Sequence, residues 1–172
     1  EPENVELMRA RALKLSLLHR SDLLDRLLRQ KKPLLVTGTH GKTTTSALLA
    51  TVLCEAKTEP SFAIGGVLNA FCTNGKAGKG PYFVAEADES DGSFLKTPSF
   101  GSIVTNLEDE HLDFWKSSEK LDRAFMQFFS QVERKEHLFW CKDDNRLLAL
   151  SPPGFSYGFS PQSDLRIEAW RQ

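Results

Sequence analysis

The stretch Leu34-Leu35-Val36-Thr37-Gly38-Thr39-His40-Gly41-Lys42-Thr43-Thr44-Thr45 decides how the rest of the chain reads. Three apolar residues after Pro33 make a short buried strand. A glycine-bearing turn follows, then a helical stretch whose apolar face is given by Leu48, Leu49, Val52 and Leu53. Strand, glycine turn and helix in that order are the context a phosphate-binding loop requires. The turn offers unpaired backbone N–H groups at the positive end of a helix dipole. Glycines let that backbone curl round an anion. Lys42 adds a mobile positive charge that can follow β- and γ-phosphates, and Thr43 places a hydroxyl where it can ligate Mg2+. The general pattern G-x-x-x-x-G-K-[ST] is not met in full, because its first glycine would fall on Val36. The loop is therefore the shorter Gly38 to Thr44, with His40 inside it as a positional residue.

Working outward, the segment from Glu1 to about Lys32 reads as a connector and an entry helix. Ser21 and Asp22 offer N-cap oxygens, and Leu23, Leu24, Leu27 and Leu28 fall on one face. Arg29, Lys31 and Lys32 suit the negative end of that helix. Downstream, the apolar runs Tyr82-Phe83-Val84-Ala85, Ser102-Ile103-Val104-Thr105 and Leu138-Phe139-Trp140-Cys141 each lead into polar or acidic residues. Leu121, Phe125, Phe128 and Phe129 are spaced for one helical face. Strands alternating with helices predict an α/β fold, a mostly parallel sheet flanked by helices. In such sheets ligands sit beyond the carboxyl ends of the strands. The stretch from Asn74 to Pro81 reads as a mobile loop, with Lys76 and Lys79 as solvated charges.

Mg2+ takes oxygen ligands in octahedral geometry, so Thr43 needs a carboxylate from a neighbouring strand end. Glu86 stands in that place, at the head of the run Glu86-Ala87-Asp88-Glu89-Ser90-Asp91. Such a run read alone is a solvated loop, and its position after a strand shifts the balance. His111 lies in Thr105-Asn106-Leu107-Glu108-Asp109-Glu110-His111-Leu112-Asp113, among carboxylates that can fix its tautomer. Spacing leaves a ligand role and a structural role for His111 both open. His19 and His137 read as structural.

The 172 residues suit one compact domain, and 40% hydrophobic with 26% charged residues argues against disorder. A formal net charge of -1 gives no basic excess for nucleic acid or an anionic membrane. Cys54, Cys72 and Cys141 are far apart with no C-x-x-C, which points to a reducing cytoplasm. No signal peptide opens the sequence and no apolar run is long enough to cross a bilayer. The chain starts without methionine and reads as a piece of something longer.

Three motifs now stand in order: Thr37-Gly38-Thr39-His40-Gly41-Lys42-Thr43-Thr44-Thr45, the Glu86 to Asp91 run, and the Thr105 to Asp113 run. Together they resemble the central domain of the Mur ligases, over roughly Leu18 to Arg166, and within that family they look most like its alanine-adding branch. Tyr157-Gly158-Phe159 adds to the likeness. The resemblance implies a P-loop NTPase-like domain that binds ATP and Mg2+ between a UDP-sugar domain and an amino-acid domain. Lys42 and the amides of Gly38, Thr39, His40, Gly41, Thr43 and Thr44 would take the phosphates. Thr43 and Glu86 would hold one Mg2+, and His111 would help Glu86 hold a second. Gly65-Gly66 and Asn69 resemble a segment facing the UDP substrate. The substrates implied are UDP-N-acetylmuramate and L-alanine, joined through an acyl phosphate. Residues 1–32 would be linker and entry helix, and 33–172 the ATP-binding domain, incomplete at its C-terminal side because the family's H-N-x-x-N segment has no counterpart.

Two departures stand out. Glu110-His111-Leu112-Asp113 replaces the family's D-H-x-D, and no lysine stands near Phe125 and Met126, where several members carry a carbamylated one. The alanine-adding branch lacks that lysine too. A murein-peptide recycling ligase, and beyond the family another P-loop kinase or NTPase, are the competing readings.

Overall fold

The computed structural model describes residues 4–169, so the first and last three residues of the linker and domain assignments lie outside the described residues. Helices α1 (Val5–Ala12) and α2 (Arg20–Leu28) lead into β1 (Lys32–Thr37) and α3 (Lys42–Glu55). The hairpin strands β2 (Ser61–Leu68) and β3 (Thr73–Lys76) precede β4 (Tyr82–Glu86). Next come β5 (Gly101–Val104), α4 (Leu112–Trp115) and α5 (Ser118–Ser130). The order closes with β6 (Leu138–Cys141), α6 (Asn145–Leu150), β7 (Phe155–Gly158) and β8 (Leu165–Arg166). All eight strands form one sheet in the order β3-β2-β4-β1-β5-β6-β7-β8. Among the described residues only the β2–β3 pair is antiparallel. The expected mostly parallel α/β sheet is what the chain forms.

Alternation along β1 divides the core in two, as the period of a strand requires. Leu35 joins Phe83, Val104, Leu138 and Trp140 on the face covered by α2, α5 and α6. Leu34 packs with Phe62, Ile64, Val84 and the buried side of α3 on the other. On α5, Leu121, Phe125, Phe128 and Phe129 are all buried, as their spacing predicts. Each such side chain contributes about 1.5–3 kcal/mol by leaving water.

Three local expectations are corrected. The N-cap of α2 is His19, whose ring accepts from the Ser21 N–H while Asp22 accepts from the His19 N–H. Leu24 and Leu28 turn inward, but Leu23 and Leu27 are exposed, because α2 meets the sheet through a stripe narrower than its apolar face. The same happens on α3, where Ser46 and Ala50 lie buried against the sheet and Leu48 and Val52 are each 62% exposed.

The third concerns the glycine-rich stretch from Asn74 to Pro81. Its first part belongs to β3, which pairs Gly75 with Ala63. Its second part is pinned: the Gly80 N–H donates to Glu59 O, and Lys31 Nζ donates to the carbonyls of Gly78 and Gly80. Composition marked these glycines as freedom, whereas close approach of two backbones is what requires them. A Cβ on Gly80 would lie 1.7 Å from Thr58 O, and one on Gly75 would come no nearer than 3.8 Å to Phe62 O. Gly80→Ala should therefore cost about 1–3 kcal/mol in chemical denaturation, and Gly75→Ala should stay within about 0.5 kcal/mol. Equal effects of the two would contradict this packing.

Candidate active site

Parallel register sets the site. Val36 on β1 stands beside Glu86 at the end of β4, and Thr37 beside Val104 at the end of β5. The three sequence motifs therefore leave the sheet at one edge, the carboxyl edge where such folds bind ligands.

The loop after β1 is held by the loop after β5. Thr39 N–H donates to Asn106 O at 3.2 Å, and the Glu108 N–H donates to Thr39 Oγ1 at 2.8 Å. Asn106 brackets His40, accepting from its N–H through Oδ1 at 2.8 Å and donating to its carbonyl through Nδ2 at 3.1 Å. Thr105 Oγ1 also donates to the His40 carbonyl, at 2.6 Å. Gly38 is buried with φ at 127°, and a Cβ there would sit 2.2 Å from Thr105 Oγ1. Gly41, with φ at 83°, begins α3 without a side-chain cap. The first N–H groups of α3 thus have no capping oxygen from that residue, which suits a helix end that receives an anion.

Around this loop the charges are specific. Thr43 Oγ1 donates to Glu86 Oε2 at 3.1 Å, and the Gly65 N–H donates to Glu86 Oε1 at 2.7 Å. A Cβ on Gly65 would lie 3.2 Å from the Glu86 carboxylate, so the glycine keeps that space open. Lys42 Nζ donates to the carbonyls of Gly38 and Thr39 and to both carboxylate oxygens of Glu89, at 3.1 and 3.0 Å. Glu89 is 2% exposed, and burial pushes its carboxyl above the usual range even though Lys42 opposes the shift. Its backbone is fixed by Trp115, whose Nε1 donates to Glu89 O at 3.0 Å.

His111 opens α4 in a left-handed conformation, with φ at 55°. Its Nε2 lies 3.9 Å from Glu110 Oε2. One ligand atom from each of Glu89, Glu110 and His111 can be drawn within 4.8 Å of the others. The His40 ring faces Glu108 and Glu110 at 3.7 and 3.8 Å. The acidic loop is braced from behind by Arg146, which donates to Asp109 at 2.5 Å and to Asp122 at 2.7 Å.

The residues singled out from sequence thus fall into two adjoining groups. Lys42, Thr43 and Glu86 meet at the loop, while His111 groups with Glu110 and Glu89. Glu89 was not among the singled-out residues, because a third acid in an acidic run carries no mark of burial. The signal available was the lysine it neutralises. Asn106 was also passed over, since its work is done on backbone groups. Hard oxygen donors converge at Thr43 and Glu86, and a mixed oxygen and nitrogen set at the second group. The first suits a cation of the Mg2+ type, with several ligand positions left to water or phosphate, and the second, with its imidazole nitrogen, suits divalent cations more broadly.

Comparison with known proteins agrees with this geometry. The family model described as the Mur ligase middle domain matches residues 36–169. UDP-N-acetylmuramate--L-alanine ligase of Protochlamydia amoebophila is 53% identical over 166 residues, covering 96% of this chain and 37% of the relative. Among solved structures, UDP-N-acetylmuramate-alanine ligase from Thermotoga maritima superposes with a TM-score of 0.84 at 27% identity, over 93% of this chain and 37% of that one. The UDP-N-acetylmuramate:L-alanyl-gamma-D-glutamyl-meso-diaminopimelate ligase from Neisseria meningitides gives 0.77 at 26% identity, over 88% of this chain and 54% of that one. The chain spans a little over a third of the length of the curated relatives it matches, 37% and 38% for two of them.

If Asn106 is the brace of the loop, Asn106→Ala should raise amide hydrogen exchange at His40 and Gly41 by about tenfold, the equivalent of one lost hydrogen bond. The amides of β1 and β5 should keep their protection. Unchanged exchange at His40 would contradict the assignment.

Proposed function

The chain belongs to the Mur ligase family, and from that premise we propose that it is the ATP-binding domain of a ligase joining L-alanine to UDP-N-acetylmuramate in the cytoplasm. The observation that carries the reading is the convergence of Lys42, Thr43 and Glu86 at one strand edge, in a chain 53% identical to a relative of that name. The parent would bring the UDP sugar and the amino acid on flanking domains. Among the described residues no helix is long and apolar enough to cross a membrane, which is consistent with the proposed location.

The chemistry follows from the electrophile. A carboxylate repels an incoming amine and has no good leaving group. Attack of its oxygen on the γ-phosphorus of ATP, with ADP leaving, gives an acyl phosphate. Attack of the alanine nitrogen on the acyl carbon then expels phosphate, and the amine gives up a proton. Two lower barriers replace one high barrier. In this scheme the amides from Gly41 to Thr44 and the Lys42 ammonium position and neutralise the phosphates, which is most of what phosphoryl transfer asks of a protein, while the Thr39 and His40 N–H groups, donated to Asn106, shape the loop. Thr43 and Glu86 would hold one Mg2+, and His111 with Glu110 and Glu89 a second. Bound there, Mg2+ would offset charge on phosphate oxygens. The grouping of His111 with Glu89 and Glu110 supports a cation near the acyl phosphate, with a donor set different from the Glu86 and His111 pair that the resemblance implies.

A recycling ligase that adds a peptide is the second reading, supported by the likeness to the Neisseria meningitides structure. The higher TM-score of 0.84 to the alanine ligase and the 53% identical relative favour the first.

The test is phosphate release by the full-length parent with Mg-ATP, adding UDP-N-acetylmuramate and L-alanine separately and together. Release that requires both is expected. Release with a peptide in place of alanine would favour the recycling ligase, and release with neither would point to a general NTPase. Lys42→Ala in the parent should lower turnover by about a hundredfold or more, and near-normal turnover would sink its assignment.

A further inference from the structure

The Lys42 side chain is already fully engaged. An ammonium group has three protons. Here they face Gly38 O at 2.7 Å, Thr39 O at 3.1 Å and the Glu89 carboxylate at 3.0 and 3.1 Å. No proton is left for a phosphate oxygen. An arriving phosphate must displace one of these partners, and the like-for-like exchange is anion for anion, phosphate for Glu89.

We propose that Glu89 is the counter-ion of Lys42 in the nucleotide-free state, a positioning residue that holds the lysine folded back on its own loop and releases it to the incoming phosphate. The proposal rests on the nucleotide-binding reading above and assigns a residue outside its phosphate loop.

Three observations make the pair a switch rather than a surface contact. The carboxylate is 2% exposed, so water cannot take over when the lysine leaves. The Lys42 side chain is only 17% exposed, so it too needs a partner at all times. Finally, the Glu89 backbone does not move with the lysine, because Trp115 holds its carbonyl at 3.0 Å and Trp115 itself packs edge-on against Phe94. Breaking the pair therefore costs free energy that nucleotide binding must supply. The cost falls if a cation joins Glu89 from the side of Glu110 and His111, whose ligand atoms stand within 4.8 Å of it. Nucleotide and divalent cation would then bind better together than apart.

The sign of the effect separates this role from a merely structural one. A structural glutamate, once altered, weakens the fold and with it binding. A counter-ion that competes with phosphate, once altered, strengthens binding.

The experiment is calorimetric titration of ADP in EDTA, where no divalent cation can engage Glu89, into this chain, Glu89→Gln, Glu89→Asp, Lys42→Met and the Lys42→Met/Glu89→Gln double variant, with Mg-ADP run in parallel and each chain checked by thermal melting. Glu89→Gln is isosteric and in EDTA should bind ADP about tenfold more tightly than the unsubstituted chain. Glu89→Asp keeps the charge and should restore the weaker binding. In the Lys42→Met background the gain from Glu89→Gln should vanish. An equal gain in both backgrounds would mean simple removal of negative charge and would overturn the proposal, as would unchanged or weaker binding by a folded Glu89→Gln. Should that variant fail to fold, slow exchange of the Lys42 Nζ protons in the unsubstituted chain, lost on adding Mg-ADP, supports the pair, and fast exchange throughout overturns it. Absence of binding in all five chains and in the full-length parent would reject the nucleotide-binding reading itself, and the proposal with it.

Discussion

The seat of Gly38 against Thr105 and Asn106 is the contact on which the rest of the site depends. Parallel pairing of β1 with β5 ends at Thr37 beside Val104, so the two loops leave the sheet side by side. At that point the backbone of one must pass within hydrogen-bonding distance of the other, and a side chain on Gly38 would fill the gap. Once the loops are joined, the loop's carbonyls are used up on Lys42, Thr105 and Asn106. Its N–H groups at the start of α3 are what remains to face outward. A polar turn becomes an anion cradle because its acceptors are consumed from behind.

Electrostatics at the same edge is a problem of crowding. Glu86, Glu89, Glu108 and Glu110 all lie near one lysine and two histidines. The chain keeps this arrangement by giving the closest carboxylates separate partners. Glu86 accepts from Thr43 and Gly65, Glu89 accepts from Lys42, and Asp109 is drawn back by Arg146. Like charges held this way form a ready receptor for cations, and the surplus of acceptors over donors is what a phosphate-bound divalent ion would neutralise. Of the pairs, only Lys42 with Glu89 is well buried, so only there does separation carry a large penalty.

Much of this was legible in the sequence. The strand before Gly38, the helix after it and the acidic strand ends are local patterns, and a parallel sheet turns them into one site without further information. The Leu121 to Phe129 face was legible for the same reason, since one helix packs on one face. What was not legible depends on partners distant in sequence. The burial of Glu89 needs Trp115 and Lys42, and the bracing of His40 needs Asn106. The fixed course of Gly78 and Gly80 needs the backbone of Thr58 to Pro60. Leu48 and Val52 were misread because periodicity tells which residues share a helix face, and not how wide a stripe the sheet will cover.

The central claim is that the three strand-end loops form one phosphate and cation site. Amide NMR shifts of this chain, followed while Mg-ADP is added, test it most directly. The account predicts saturable shifts at Gly38 to Thr45, at Glu86 to Glu89 and at Thr105 to His111, moving together with one affinity. Shifts confined to the first loop, or spread over the sheet with no common midpoint, would contradict it.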